Sequence, residues 1–180
     1  MCAFTKKRNL QFKIIVAGDG GVGKTTLLTR YVFSEFTSIK MTIGTDFFSK
    51  VVDIDDKIVR LQLWDFGGQE RFRFMIPYYC EGAHGAILAF DMSDFATLMN
   101  LDEWLQIIKE NTWETPIIFL VGTKADLPVF YDEDFIKEFC NNNGIEKFIA
   151  TSAKTGENIE RLFQELAKEI IVRRSKTKNA

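Results

Sequence analysis

Short apolar runs rich in β-branched residues alternate along the chain with stretches in which apolar residues return every three or four positions. The runs have the length and composition of buried strands, and the stretches between them have the spacing of amphipathic helices. The predicted strands lie at 12–16, 47–54, 57–64, 85–91, 116–121 and 148–150. The apolar residues at helical spacing are Leu98, Leu101, Leu105 and Ile108, then Phe135, Ile136 and Phe139, then Ile159, Leu162, Phe163, Leu166 and Ile170.

This alternation predicts an α/β fold. Strand–helix–strand units are right-handed and keep their strands parallel, whereas two strands joined only by Asp55 and Asp56 form an antiparallel hairpin. We therefore expect a three-layer sandwich with a six-stranded, mostly parallel sheet, one antiparallel edge strand and about five helices. No repeat or linker divides the chain, so we expect a flexible N-terminus at 1–11, one domain at 12–172 and a basic tail at 173–180.

The composition is that of one self-sufficient domain. Of the 180 residues, 46% are apolar, which is enough for a core without disulfides or metals. Lys and Arg number 23 against 25 Asp and Glu, so no overall field favours nucleic acid or an anionic membrane. The three cysteines, Cys2, Cys80 and Cys140, have no zinc or disulfide spacing, and no apolar run reaches the ~20 residues of a membrane span. A cytoplasmic protein is expected.

The most specific motif is the glycine-rich segment at 18–25, which reads G-x-x-x-x-G-K-T, follows an apolar strand and opens a helical pattern. Such a loop turns successive backbone N–H groups toward phosphate oxygens. Lys24 can approach the β- and γ-phosphates, and the Thr25 hydroxyl can bind Mg²⁺. The fold expected is therefore that of a P-loop NTPase. By itself the loop does not select a nucleotide, and a P-loop kinase or ATPase stays open at this point.

A second group of residues can complete a metal and phosphate site. Asp65 directly follows the predicted strand 57–64 and can hold a metal ion through a water, while the Gly68 N–H can bind a γ-phosphate. The neighbouring Gln69 can orient an attacking water. A further hydroxyl ligand must come from Thr42 or Thr45, between which the spacing does not decide.

Two loops that follow predicted strands can recognise the base. The Asp126 carboxylate can accept hydrogen bonds from guanine N1–H and its 2-amino group, whereas adenine would leave it without a partner. The stem of Lys124 can lie over the base, and a backbone N–H near Ala153 can bond guanine O6. These residues favour GTP over ATP.

Taken in order, these motifs resemble the Ras superfamily of small GTPases over about 12–172, and the segments 43–47, 61–65, 68–72 and 82–85 resemble its Rab branch. The resemblance implies a switch that binds GTP or GDP with Mg²⁺ and slowly hydrolyses GTP, with Gln69 and Lys24 as catalytic residues. It names Thr25, Thr42 and, through a water, Asp65 as Mg²⁺ ligands. The nucleotide-binding set that it implies is Gly20, Gly21, Val22, Gly23, Lys24, Thr25, Thr26, Phe36, Thr42, Gly68, Thr123, Lys124, Asp126, Leu127, Ser152, Ala153 and Lys154.

The resemblance also implies partners. Effectors, an exchange factor and a GTPase-activating protein would bind a monomer through two switch segments, 34–46 and 65–79. The effector surface would contain Ile43, Phe47, Trp64 and Tyr79. Because 173–180 contain no cysteine for prenylation and Cys2 is not a myristoylation signal, membrane attachment is expected only through partners or a missing tail.

Several positions depart from the family pattern. Phe66 and Gly67 replace the usual Thr-Ala, Thr123 replaces the commoner Asn, and the loop between Phe36 and Thr42 is one residue shorter. These changes keep a rival interpretation open, a nucleotide-locked scaffold without turnover. An ATP-using P-loop kinase is disfavoured by Asp126 and by the lack of an arginine-rich lid.

Overall fold

The computed structural model describes residues 8–37, 42–68, 74–129 and 132–177. These residues form six strands and six helical segments, and the α/β fold predicted from the apolar pattern is confirmed. In chain order the elements are β1 (Arg8–Ala17), α1 (Lys24–Phe33), β2 (Thr45–Ile54), β3 (Lys57–Phe66), α2 (Ile76–Cys80), β4 (Gly85–Asp91), α3 (Phe95–Met99), α4 (Leu101–Glu110), β5 (Ile117–Thr123), α5 (Glu133–Asn143), β6 (Lys147–Ala150) and α6 (Ile159–Thr177).

The sheet has the strand order β2-β3-β1-β4-β5-β6. Only β2 runs antiparallel within the described sheet; it pairs with β3 from Thr45 opposite Phe66 to Ile54 opposite Lys57. All other neighbours are parallel. The predicted antiparallel edge strand is therefore confirmed, and the carboxyl ends of β1, β3, β4, β5 and β6 share one edge of the sheet.

Helices cover both faces of the sheet, and each face has its own apolar core. One core packs α1 and α6 on the sheet, with Tyr31 stacked on Phe163 at a centroid distance of 3.8 Å. The other core packs α2 to α5 on the opposite face around the fully buried Trp104. Every residue of β4 and β5 is buried, as expected for central strands covered on both faces. A rigid three-layer scaffold thus carries the loops that follow the strands.

The structure extends both ends of the expected domain. β1 begins at Arg8, which pairs with Lys57, so residues 8–11 belong to the sheet and not to a flexible N-terminus. α6 continues to Thr177, so the start of the expected tail at 173–177 is helical. The reason at the C-terminal end is that Arg173 donates to the Thr115 carbonyl and pairs with Glu146. Residues 1–7 and 178–180 lie outside the described part of the chain.

Two helical details also differ from the sequence pattern. The stretch from Leu98 to Ile108 was expected to be one helix, but Asn100 separates α3 from α4. The short helix α2 was not predicted, because five residues with a proline at the start carry too little helical periodicity.

Candidate functional site

The candidate site lies at the carboxyl edge of the sheet, where ligands bind in open α/β folds. The glycine-rich loop at 18–23 connects β1 to the first residue of α1, Lys24. The loops after β3, β5 and β6 adjoin it. Two neighbouring cavities open there, one of about 570 Å³ beside the glycine-rich loop and one of about 520 Å³ between the loops after β5 and β6.

Lys24 is held inside the glycine-rich loop. Its ammonium donates to the carbonyl oxygens of Gly18 and Asp19, both at 2.7 Å. The side chain is buried, and burial lowers the Lys24 pKa to about 8. A desolvated cation wrapped by its own loop attracts phosphate oxygens more strongly than an exposed lysine, because the surrounding dielectric is lower.

Three oxygen-bearing side chains meet beside this loop. The Thr25 hydroxyl lies 2.7 Å from the Thr42 hydroxyl and donates to Asp65 Oδ2, and the Thr42 hydroxyl lies 3.3 Å from the same carboxylate oxygen. Asp65 is fully buried, and burial raises its pKa to about 6. Thr42, and not Thr45 of β2, therefore reaches the cluster.

This cluster fits a divalent cation. Asp65 Oδ1 is buried without a hydrogen-bond partner, a costly arrangement that a nearby cation or its water would relieve. The donors are one carboxylate and two hydroxyls, the hard oxygen ligands of Mg²⁺. No group of three His, Cys, Asp or Glu side chains able to hold a metal occurs in the described ranges. A site with so few protein ligands suits Mg²⁺, which completes its shell with waters and substrate phosphates.

Two glycines after β3 allow close backbone contacts around this cluster. The Gly67 N–H donates to the Gly44 carbonyl at 2.7 Å, and a methyl group on Gly67 would lie 2.7 Å from the Thr42 carbonyl oxygen. A methyl group on Gly68 would lie 2.1 Å from the Gly20 nitrogen. The segments that contain Thr42 and Gly68 thus contact each other and the glycine-rich loop. Gln69 lies outside the described residues.

The second cavity has a carboxylate at its wall. Asp126 accepts from the Ser152 hydroxyl at 2.6 Å and lies 3.6 Å from the Lys154 ammonium. The Ser152 hydrogen bond lowers the Asp126 pKa, so this side chain is a charged acceptor at neutral pH. The remaining lining residues are Gly23, Thr26, Leu27, Phe36, Thr37, Thr123, Lys124, Leu127, Thr151 and Ala153.

Two residues at the carboxyl end of β5 and just after it line this cavity and have partners in neighbouring elements. The buried Thr123 hydroxyl lies 2.5 Å from the Val22 carbonyl and 2.9 Å from the Phe90 carbonyl, so it joins β5 to the glycine-rich loop. Lys124 pairs with Asp91 at 2.6 Å. Sequence reasoning missed Asp91, although an acid at the carboxyl end of a buried strand was a usable signal.

The expected effector residues are near one another. Ring centroids of Phe47 and Trp64 lie 5.0 Å apart, and those of Trp64 and Tyr79 lie 5.3 Å apart. Ile43 is 71% exposed and Phe47 is 46% exposed, although apolar residues are usually buried. An aromatic surface therefore lies beside the loops that carry Thr42 and Gly68.

Comparison with known proteins agrees with this geometry. The chain matches the Ras family over residues 13–172. It belongs to this family. It is also 38% identical to Ras-related protein YPTC6 from Chlamydomonas reinhardtii over 162 residues, which cover 88% of this chain and 74% of that protein.

As a Rab-like member of the Ras family, the protein is a small GTPase, a molecular switch that hydrolyses GTP to GDP and phosphate. Ras-family GTPases in general bind GTP or GDP with Mg²⁺ and interact with effectors, exchange factors and GTPase-activating proteins. Among the helices in the described ranges, none has the length and apolar character needed to cross a membrane.

Proposed function

We propose that this GTPase holds guanine nucleotide and Mg²⁺ with residues from five loops and works in Rab-like membrane trafficking or a related signalling role. The observation that carries the proposal is the meeting of Thr25, Thr42 and Asp65 beside the buried Lys24. These oxygen donors come from three separate parts of the chain and lie next to a desolvated cation. Burying such groups together costs free energy, and a bound metal ion and phosphate would offset that cost.

The phosphate half uses the glycine-rich loop. Backbone N–H groups of Gly20, Gly21, Val22 and Gly23, with the N-terminus of α1, face the phosphates, and Thr26 adds a hydroxyl in the first turn of α1. Lys24 keeps its loop carbonyl partners and directs its remaining N–H toward the β- and γ-phosphate oxygens. Thr25 and Thr42 would hold Mg²⁺ directly, and Asp65 would hold it through a water. When bound, Mg²⁺ supplies positive charge that neutralises the phosphate oxygens.

Hydrolysis requires little covalent chemistry from the protein. Gln69 orients a water for in-line attack on the γ-phosphate, and Lys24 and the Gly68 N–H stabilise the charge of the transition state. Gly68, which precedes Gln69 in the sequence, approaches Gly20 of the glycine-rich loop, and this contact supports the proposal. No arginine in the described residues lines the cavity beside that loop, so unassisted hydrolysis is slow and an activating protein accelerates it.

Base recognition uses the second cavity. Asp126, held in place by Ser152, accepts from guanine N1–H and the 2-amino group. Lys124 and Phe36 contact the two sides of the base, Leu127 extends the apolar wall, and the Ala153 N–H donates to O6. The Ser152 hydrogen bond and, to a smaller extent, the Lys154 ammonium at 3.6 Å lower the Asp126 pKa and favour the charged carboxylate.

Partners bind the aromatic surface formed by Ile43, Phe47, Trp64 and Tyr79. Because Ile43 follows Thr42 directly and Trp64 precedes Asp65, the surface adjoins two of the residues that bind the metal and phosphate. At this surface, effectors, an exchange factor and an activating protein would distinguish the GTP form from the GDP form. We propose a monomer in the cytoplasm that reaches membranes through such partners.

The test is the nucleotide content of the purified protein, measured by chromatography after denaturation, followed by single-turnover phosphate release from loaded GTP. We expect guanine nucleotide at about one equivalent per chain and slow release of phosphate. Lys24→Ala should lose the nucleotide. Lys109→Ala is a matched control, since the Lys109 ammonium also bonds a carbonyl, that of Asn143, away from the site. Absence of guanine nucleotide would overturn the proposal, and binding without phosphate release would identify the nucleotide-locked scaffold.

A further inference from the structure

The glycine-rich loop contains a carboxylate that faces away from the expected phosphate ligands. Asp19 Oδ2 accepts from Asn100 Nδ2 at 2.7 Å, and Asp19 Oδ1 accepts from Trp104 Nε1 at 3.0 Å. The backbone carbonyl of the same residue accepts from Lys24 at 2.7 Å. Asp19 is therefore the point at which the loop, its lysine and the helices on one face of the sheet are joined.

The two donors have fixed positions. Trp104 lies in the first turn of α4 and is fully buried in the core of that face. Asn100 is the single residue between α3 and α4, and its own N–H is bonded to the carbonyls of Ala96 and Leu98. The break between the helices thus places an amide donor one turn before the indole donor, and both N–H groups point at one carboxylate.

A carboxylate in a phosphate-binding loop is unfavourable unless it is held. Free to rotate, the Asp19 side chain would repel phosphate oxygens and compete with them for Lys24, since like charges repel and opposite charges attract at these distances. Hydrogen bonds from two N–H donors fix the carboxylate on the α3–α4 side and disperse its charge. They also fix the loop backbone that binds Lys24.

We propose that Asn100 and Trp104 are positioning residues of the nucleotide site, which act by holding Asp19 and with it the glycine-rich loop. This inference rests on the proposed function, since it assumes that the loop binds guanine nucleotide. It adds to the nucleotide site two residues, Asn100 and Trp104, that lie outside all of its nucleotide motifs. It also makes the junction of α3 and α4 a part of the fold through which nucleotide release is controlled.

The experiment first breaks the hydrogen bond between Asn100 and Asp19 and then restores it with the donor and the acceptor exchanged. Asn100→Asp places a second carboxylate against Asp19 and should raise the rate constant of GDP dissociation about tenfold or more, because a charge-assisted bond becomes a repulsion. Combining Asn100→Asp with Asp19→Asn restores the bond with donor and acceptor exchanged, and the amide oxygen at position 19 still accepts from Trp104. The double variant should return to within about threefold of the wild-type rate.

Asn111→Asp is the matched control. Asn111 is at the other end of α4, where its amide bonds the Ile107 carbonyl at 2.8 Å, so its replacement perturbs the same helix away from the loop. It should lower the thermal unfolding midpoint without accelerating GDP dissociation. Asn100 is exposed and Trp104 is unchanged in every variant, so the core stays intact.

Two results would overturn the inference: a wild-type dissociation rate in Asn100→Asp, or a double variant as fast as that single variant. Equal acceleration by Asn111→Asp would also overturn it, since the effect would then be one of helix stability. Failure of the proposed function is distinguishable, because the wild-type protein would then retain no guanine nucleotide from which a rate could be measured.

Discussion

At the scale of single residues, hydrogen bonds orient the side chains of the cavity that we propose to bind the base. Ser152 orients Asp126, and the Thr123 hydroxyl joins β5 to the glycine-rich loop. The Thr123 hydroxyl makes this contact with the glycine-rich loop, but a threonine has no side-chain amide that could bond to the base. We therefore propose that base selection depends mainly on the Asp126 carboxylate.

We expect Asp126→Asn to weaken GTP binding by roughly 1 to 3 kcal/mol, because the two guanine donors lose a charged acceptor. Equilibrium titration with GTP and ATP measures the change. Asp134→Asn is the control, since Asp134 also has a lysine partner, Lys137 at 3.0 Å, but lies on α5 away from the cavity. Unchanged GTP affinity in Asp126→Asn, or equal wild-type affinity for ATP, would refute this role.

The choice between Thr42 and Thr45 shows where residue-level prediction from sequence ends. Both threonines lie near the start of the predicted second strand, and spacing gives no preference. Thr45 is the first residue of β2 and pairs with Phe66, whereas Thr42 bends back to Thr25 and Asp65. Which threonine reaches the cluster depends on the turn before β2, and the apolar periodicity of the sequence does not predict that turn.

At the scale of elements, strands and long helices were predictable because each has an apolar period, and the six predicted strands all occur. The boundaries were less predictable. β1 begins earlier than its apolar run because Arg8 pairs with Lys57, a contact between distant segments. The break at Asn100 was missed because Leu98, Leu101 and Leu105 are buried on both sides of it at helical spacing.

The loop before β2 and the loop after β3 are joined through Gly67, and this joint gives a prediction. Gly67→Ala would place a methyl group 2.7 Å from the Thr42 carbonyl and 2.9 Å from the Gly44 carbonyl. We expect a loss of roughly 1 to 3 kcal/mol in the unfolding free energy of the GDP-bound protein, as for other overpacked positions. Chemical denaturation measures it, and hydrogen exchange should show faster exchange near Thr42 with β4 unchanged. If Gly67→Ala has the unfolding free energy and the hydrogen-exchange rates of the wild type, Gly67 is not tightly packed against Thr42 and Gly44 in solution.

At the scale of the whole molecule, one sheet with an apolar core on each face carries the candidate site. The residues of the site lie at the ends of the strands and in the loops that adjoin them. We propose that Thr42 and Gly68 bond the γ-phosphate or its metal, and Gly67 links their segments through the Gly44 carbonyl. On this proposal, loss of the γ-phosphate would remove both contacts together. The Phe47, Trp64 and Tyr79 surface adjoins both segments, so we expect it to change with them.

We therefore expect the segments 34–46 and 65–79 to exchange amide hydrogens faster in the GDP form than in a form loaded with a non-hydrolysable GTP analogue. The physical reason is that Thr42 and Gly68 would lose their contacts with the γ-phosphate and its metal together. Hydrogen exchange with mass spectrometry compares the two forms, with the buried strands β4 and β5 as an internal control. Because the Gly67 bond joins the segments, their protection should change together. Equal protection in both forms would mean that the protein does not switch, and a change in one segment alone would mean that the joint does not couple them.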